Sequence, residues 1–249
     1  MRSVVPRDRF RRFLAKYNIV VKKLGFRLCQ GDVSQNMEYS FMRAIIRDDW
    51  PKIIVDIGAN DGRTYSNSFN LLRDCGWRGI LVEPNCDLRP VIEANLKGTD
   101  FQLFSVAASS DEGIVELQFD NSGDGKQQMA SVSSDRNRWF DSVLSGRSVK
   151  VPTARLCSIL ELSGVPRDFG ILSVDTEGHD LEVLRGLGEW RPRLIVSEIY
   201  AWNKETYRKK FQWCFDNGYL FVTQIGCNEV FVRDDCFAPG TYHCGGHHV

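Results

Sequence analysis

Long apolar runs are missing from this 249-residue chain. No window approaches the roughly 20 residues that a membrane-spanning helix needs. The longest apolar stretch near the start, Ile19 to Val21, is too short for the core of a secretory signal. An excess of charge is missing as well: Lys plus Arg and Asp plus Glu number 32 each. Net charge therefore gives no argument for a nucleic-acid partner, and none is expected. The pattern G-x-G-x-x-G and the P-loop pattern are both absent, so no phosphate cradle of either kind is built in. Internal repeats are absent too. The eight cysteines show no tight pairing pattern, and free thiols in a reducing cytoplasm are expected.

What is present is unevenly placed. Residues 1–30 carry Arg2, Arg7, Arg9, Arg11, Arg12, Lys16, Lys22, Lys23 and Arg27 against the single acid Asp8. This reads as a basic helical extension over 1–33, solvated and packed by Phe10, Phe13, Leu14 and Tyr17, or as a peripheral membrane contact. A helix is expected over 37–48. Beyond it, short apolar strands at 53–58, 79–84, 101–109, 113–119, 149–156, 171–175 and 194–199 alternate with helices at 64–75, 87–96, 179–188 and 203–217. "YLFVTQI" and "EVFVRD" form a closing hairpin. Such alternation predicts an α/β fold with a mostly parallel sheet and antiparallel strands at its edge. Residues 120–148 are polar, contain Trp139 and Phe140, and read as a lid over an acceptor site. The tail 236–249 holds Cys236, His243, Cys244, His247 and His248. Its spacing matches no zinc module, so a flexible end is expected and no metal-ligand set is assigned.

Ligands bind parallel sheets at the carboxyl ends of the strands, and Asp56, Glu83, Asp175 and Glu198 all fall there. "VDIGANDG" (Val55–Gly62) reads as strand, glycine turn, helix. Gly58 and Gly62 let backbone approach a ligand, and Asn60 tolerates the angles such a loop needs. Glu83, ending the next strand, is placed to accept both hydroxyls of a ribose. An acid at Asp56 suits a diphosphate poorly and a sulfonium well. S-adenosylmethionine is therefore preferred to NAD, and an unused glycine turn is the bland alternative.

These blocks, with "GILVEPNCDLRPVIEANL", "VAASSDEG", "VKVPTARLCSIL" and "LSVDTEGHDLEVLRGL…RPRLIVSEI", resemble the FkbM-type methyltransferases, a branch of the class I S-adenosylmethionine-dependent enzymes. The likeness runs over about residues 53–199, and "SQNMEYS" at 34–40 resembles an opening segment of part of the family. Ser173 and Cys157 depart from it, standing where Lys and Asp are common. The resemblance implies a Rossmann-like fold over 34–235 with a seven-stranded sheet, and O-methylation of a sugar, glycan or polyketide-like hydroxyl. It implies that Asp56, Gly58, Ala59, Asn60 and Gly62 line the methionine end of the cofactor. Glu83 would take the ribose, Ala107 or Ala108 would lie near the adenine, and Gln35 would close over the methionine moiety.

"LSVDTEGHDLEVLRG" crowds Asp175, Glu177, His179 and Asp180 beyond one strand. Acids there are costly to desolvate unless they face a cation. A hydroxyl acceptor must lose a proton, and the candidate bases are Asp175, Glu177, His179 and Glu198. Asp175 paired with Glu198 or Glu177 would alternatively hold a divalent metal. Against these stand bland roles: a turn at Glu177, a cap at His179, and a favourable helix dipole for Asp180 and Glu182. Two other functions remain open: an NAD-dependent oxidoreductase or epimerase, and a non-catalytic scaffold that binds through its basic arm. The absence of an N-P-P-Y-type segment argues against nucleobase amine methylation. Nothing in the sequence indicates an oligomeric state.

Overall fold

A computed structural model describes residues 28–120, 130–132, 144–199 and 204–236. The basic arm up to residue 27, Trp139 and Phe140, and the histidines of the tail lie outside the described residues.

The first helix among the described residues is α1 (Glu38–Ile45). The chain continues with β1 (Ile53–Ile57), α2 (Phe69–Cys75), β2 (Arg78–Val82), α3 (Arg89–Asn95) and β3 (Asp100–Phe104). Next come β4 (Ala107–Ser109), β5 (Gly113–Asp120), β6 (Ala130–Val132), β7 (Leu144–Arg155) and α4 (Leu156–Leu162). The last third is β8 (Ile171–Val174), α5 (Asp180–Arg185), β9 (Leu194–Glu198), α6 (Lys204–Asp216), β10 (Tyr219–Ile225) and β11 (Asn228–Arg233).

Seven strands form one sheet in the order β10-β11-β9-β8-β1-β2-β3. From β9 through β3 every pairing is parallel. Alternate residues feed two cores, one on each face. Ile54 and Leu81 join Met42, Leu71 and Ile92 under α1, α2 and α3. Val55 and Ile80 join Leu160, Leu184 and Cys214 under α4, α5 and α6. Strands such as β8, buried at every residue, need this cover on both faces. Among the described residues no helix is long and apolar enough to cross a membrane.

The final hairpin adds its antiparallel pairings at one edge, as expected, with β11 between β9 and β10 and antiparallel to both. Three expectations need correction. The run 101–109 is two strands, because Ser105 and Val106 carry the chain from β3 in the main sheet to β4 in a second one. That second sheet has the order β4-β7-β5-β6, with Ala107, Leu117 and Val151 as its core. Residues 130–132 and 144–148, expected within the long loop, are strands of it. Finally, α2 begins at Phe69 rather than near residue 64. Side chains satisfy the intervening backbone first. Asp61 accepts from Arg63 N, Thr64 N and Thr64 Oγ1, and Ser66 Oγ accepts from the amides of Ser68 and Phe69.

Candidate active site

The site lies along the carboxyl ends of β2, β1, β8 and β9. Gly58 shows why the first turn is so tight. Its φ is +84°, and a Cβ there would stand 1.9 Å from the backbone oxygen of Asp175. Only glycine lets the β1 loop pass that close to the β8 end. Gly58 N and Ala59 N both donate to Val82 O, at 2.9 and 3.2 Å, which folds the loop back over β2. Asn60 takes a left-handed φ of 50°. Gly62 packs its Cα side on Ile92 and Leu96 of α3 and the turn beyond it.

Glu83 is 7% exposed and anchors this loop. One carboxylate oxygen accepts from Asn60 N at 2.9 Å and the other from Asn85 N at 2.8 Å. Burial is the main cause that pushes its carboxyl up to about 7; the two amides oppose this, and Asp56 and Asp175 add to it. Each carboxylate oxygen keeps a second lone pair, so two acceptor positions remain for a vicinal diol. Asp56 is tied beneath the loop, where Ser68 Oγ donates to it at 2.6 Å. Burial raises its carboxyl above the ordinary range, against the hydrogen bonds from Ser68 and Ser173. Ser173, at the family's departure point, is thus the hydroxyl beside Asp56, and Asn67 also donates to it at 3.2 Å.

Asp175, Glu177 and Glu198 come together: an oxygen of each lies within 4.8 Å of the others. The turn that aims Glu177 inward uses its φ of 52° and the following Gly178. Burial first, then the charges of Asp175 and Glu177, push the Glu198 carboxyl far above the ordinary range. Glu198 therefore keeps a proton at neutral pH and hydrogen-bonds Asp175 with it. Asp175 is also pushed up, by desolvation among its neighbours and then by Asp180, although the residue as a whole is exposed to solvent. The two behave as one proton-sharing pair, like other crowded carboxyls. Glu198 Oε2 is buried without a hydrogen-bond partner. Three oxygen donors of this kind suit a hard divalent cation on chemistry alone.

His179 stands outside that triad. It occupies the N-cap position of α5 without a side-chain cap bond, and its Nε2 lies 3.0 Å from Ser109 Oγ of β4. Gln35 sits on the opposite flank, accepting from Cys227 Sγ at 2.9 Å in the β10–β11 turn. Burial first, and then the charges of Glu198, Asp175 and Glu38, push that thiol up. Ala107 packs into the second sheet's core and Ala108 into the main core, so either reaches a ligand through backbone.

Several polar residues escaped the sequence reading. Glu38 is fully buried and accepts from Asn36 and Asn228. Gly226 exists for this contact: a Cβ there would meet the Asn36 side chain at 2.1 Å. Lys210, Glu229 and Asp180 are buried behind the acid group. Asp180 does not simply favour a helix dipole; it accepts from Thr176 N, Thr176 Oγ1 and Ser197 Oγ. No spacing rule marks these residues, because the partners that hold them, such as Asn228 for Glu38 and Lys210 for Glu229, are distant in sequence.

The profile of the FkbM methyltransferase domain matches residues 56–221. The chain belongs to this family. The match holds the glycine loop, Glu83, the Asp175–Asp180 turn and Glu198 in one continuous span. The sheet is the mostly parallel, seven-stranded, Rossmann-like α/β sheet that was expected. Solved structures similar in fold include the FkbM methyltransferase of Methylobacillus flagellatus, 14% identical with a TM-score of 0.46, covering 80% of this chain and 48% of that one. The chain thus spans about half the length of that relative. Another is the O-methyltransferase of Bacillus cereus in complex with SAH, 12% identical with a TM-score of 0.43, covering 90% and 89%. A third is the precorrin-6y C5,15-methyltransferase of Geobacter metallireducens, at 14% and 0.40, covering 83% and 92%. No curated protein matches the chain.

Proposed function

We propose that this FkbM-family methyltransferase transfers the methyl group of S-adenosylmethionine to a hydroxyl of a sugar, glycan or polyketide-like small molecule. The observation that carries the reading is a row of acids with raised carboxyls: buried Glu83 with two acceptor positions free, and the Asp175–Glu198 pair further along the same edge, open to solvent at Asp175. When bound, S-adenosylmethionine supplies an electrophilic methyl group on a sulfonium cation. Glu83 holds the ribose diol. The loop Gly58–Gly62 and Asp56 border the methionine end, with Gln35 on the far side. Asp175, already accepting from Glu198, receives the acceptor's proton as the oxygen–methyl bond forms and the carbon–sulfur bond breaks. A positive charge nearby lowers the proton affinity of the pair, so Asp175 enters the reaction ionised. Alignment of the acceptor oxygen supplies much of the remaining acceleration.

The 4.8 Å carboxylate triad favours a second reading, in which Asp175, Glu177 and Glu198 hold a divalent cation that acidifies the hydroxyl. One experiment separates the accounts. Nucleotide sugars, glycans and small alcohols are screened with methyl-labelled S-adenosylmethionine, with and without chelator. Label transfer that survives chelation supports Asp175 as base. Transfer abolished by chelator and restored by Mg²⁺ moves the triad to the metal. A roughly 100-fold loss in His179→Ala would move the base to His179. Binding of NADH with no response to S-adenosylhomocysteine would overturn the methyl-transfer reading itself.

A further inference from the structure

Lys210 projects from α6 into the interior and its side chain is 4% exposed. Burying an ammonium is costly unless every donor is used. Here Nζ donates to Ser197 Oγ at 3.0 Å and to the main-chain oxygen of Glu198. The Glu229 carboxylate lies 3.6 Å away and Asp180 4.0 Å away. Glu229 is held in turn by Tyr207 OH at 2.6 Å.

The partners of these partners are what matter. Ser197 Oγ donates to Asp180 Oδ2 at 2.7 Å. Asp180 Oδ1 accepts from Thr176 N at 3.1 Å and Thr176 Oγ1 at 2.6 Å. Thr176 lies between Asp175 and Glu177. One ammonium therefore links the end of β9, which carries Glu198, to the turn after β8, which carries the other two acids. Neighbouring inward positions of α6, Phe211 and Cys214, pack without such charge. An apolar replacement of the whole buried cluster would serve the core as well, since replacing buried ion pairs with packed apolar groups is often neutral or stabilising, whereas removing Lys210 alone leaves Asp180 and Glu229 without their cation.

We propose that Lys210 is a positioning residue for methyl transfer: through Glu198 O, Ser197 and Asp180 it sets the placement of Glu198 against Asp175 and Glu177. The catalytic half of this statement rests on the function proposed above. The mechanical half does not, and it has its own readout. Lys210→Met keeps the length of the side chain and removes the donors. Ser197→Ala is the milder break, cutting the same chain at its middle.

Hydrogen exchange followed by mass spectrometry reports on the 175–179 turn, whose Thr176 amide is held by Asp180. Exchange there rises by about tenfold or more in both variants, while the β2 peptide is unchanged. Turnover falls by about 10- to 100-fold in Lys210→Met and by about 3- to 10-fold in Ser197→Ala, since small displacements of reacting groups cost rate steeply. Affinity for S-adenosylhomocysteine stays within about threefold in both, because neither residue reaches Glu83. If Lys210→Met does not fold, Ser197→Ala decides alone. Unchanged 175–179 exchange in a folded variant refutes the tie, and parental turnover refutes the positioning role. Turnover and cofactor affinity lost together mean a merely structural lysine. A parent protein that methylates nothing and ignores S-adenosylhomocysteine defeats the proposed function, while the exchange arm still judges the tie.

Discussion

Glu83→Gln changes one oxygen to an amide nitrogen and leaves the shape of the side chain almost intact. The consequences follow from the two bonds Glu83 already makes. Its oxygens accept from Asn60 N and Asn85 N. A glutamine can satisfy only one of these amides, and its own NH₂ then faces the other. The variant also presents no charge to a ribose diol. Hydrogen bonds to charged groups contribute about 1.5–3 kcal/mol, so S-adenosylhomocysteine should bind about 10- to 150-fold more weakly. A second signature comes from protonation. Burial pushes the free Glu83 carboxyl up to about 7. A diol donates to the ionised form, so binding lowers that value again. The sign follows: affinity rises with pH while the free carboxyl is losing its proton, and levels off once it has. At about pH 6, about nine in ten Glu83 carboxyls carry a proton, so affinity should be about tenfold below its plateau. Calorimetric titration from about pH 5.5 to about pH 8.5 measures both signatures. The parent should show the rise, and Glu83→Gln should lose this contribution. Affinity in the variant within threefold of the parent, or a parent with no pH dependence at all, would refute the assignment of Glu83 to the ribose.

Asp175→Asn should reduce turnover by roughly 100-fold or more while leaving the melting temperature equal or higher, because it removes repulsion at the triad; turnover and thermal melts of the same preparation check this. The unliganded protein should lose stability as pH rises from about 5 to about 8, since Glu83 and its raised neighbours hold protons folded that they release unfolded. A melting temperature that climbs over this range would contradict the burial of these acids. Asp168, held low first by Arg193 and then by Arg233, contributes in the opposite sense only in the acid range and does not disturb that window. Gly58→Ala should cost about 3 kcal/mol or more, from overpacking against the Asp175 carbonyl and an unfavourable φ, as denaturant unfolding would show.

The parallel framework was legible because β1, β2, β8 and β9 are short, apolar and bounded by breakers. Apolar runs record burial, but not which sheet a strand joins. "FQLFSVAAS" therefore read as one strand although Ser105 and Val106 change sheets. Helix α4 went unread because it leaves β7 directly, and Arg155 at its N-cap makes no side-chain cap bond. At the site, Asp56, Glu83, Asp175 and Glu198 were readable since acids ending buried strands are anomalous. Lys210 was not, because Arg208 and Lys209 stand beside it and the three read alike as a solvated face. Glu38 was hidden for another reason: an acid at the start of α1 reads as an ordinary first-turn residue. Long-range partners such as Asn228 distinguish them, and those are set by the tertiary fold.

The place of β11 in the sheet has a consequence for synthesis. A ribosome makes β9 and β10 before β11, yet in the finished sheet β11 lies between them. Until residue 233 has emerged, the β9 edge has no lawful neighbour, and its Leu194–Val196 segment is among the most apolar in the chain. The nascent protein thus still carries an open, sticky edge, at the strand whose end bears Glu198, after the parallel part of the sheet has been made. The hairpin partner β10 is at hand but must be kept from pairing there. α6 and Lys210 emerge before β10, and docking of α6 would set aside the space that β11 later fills. Competence for ligand binding would then appear late and abruptly during translation, with the last strand rather than with the glycine loop near the beginning.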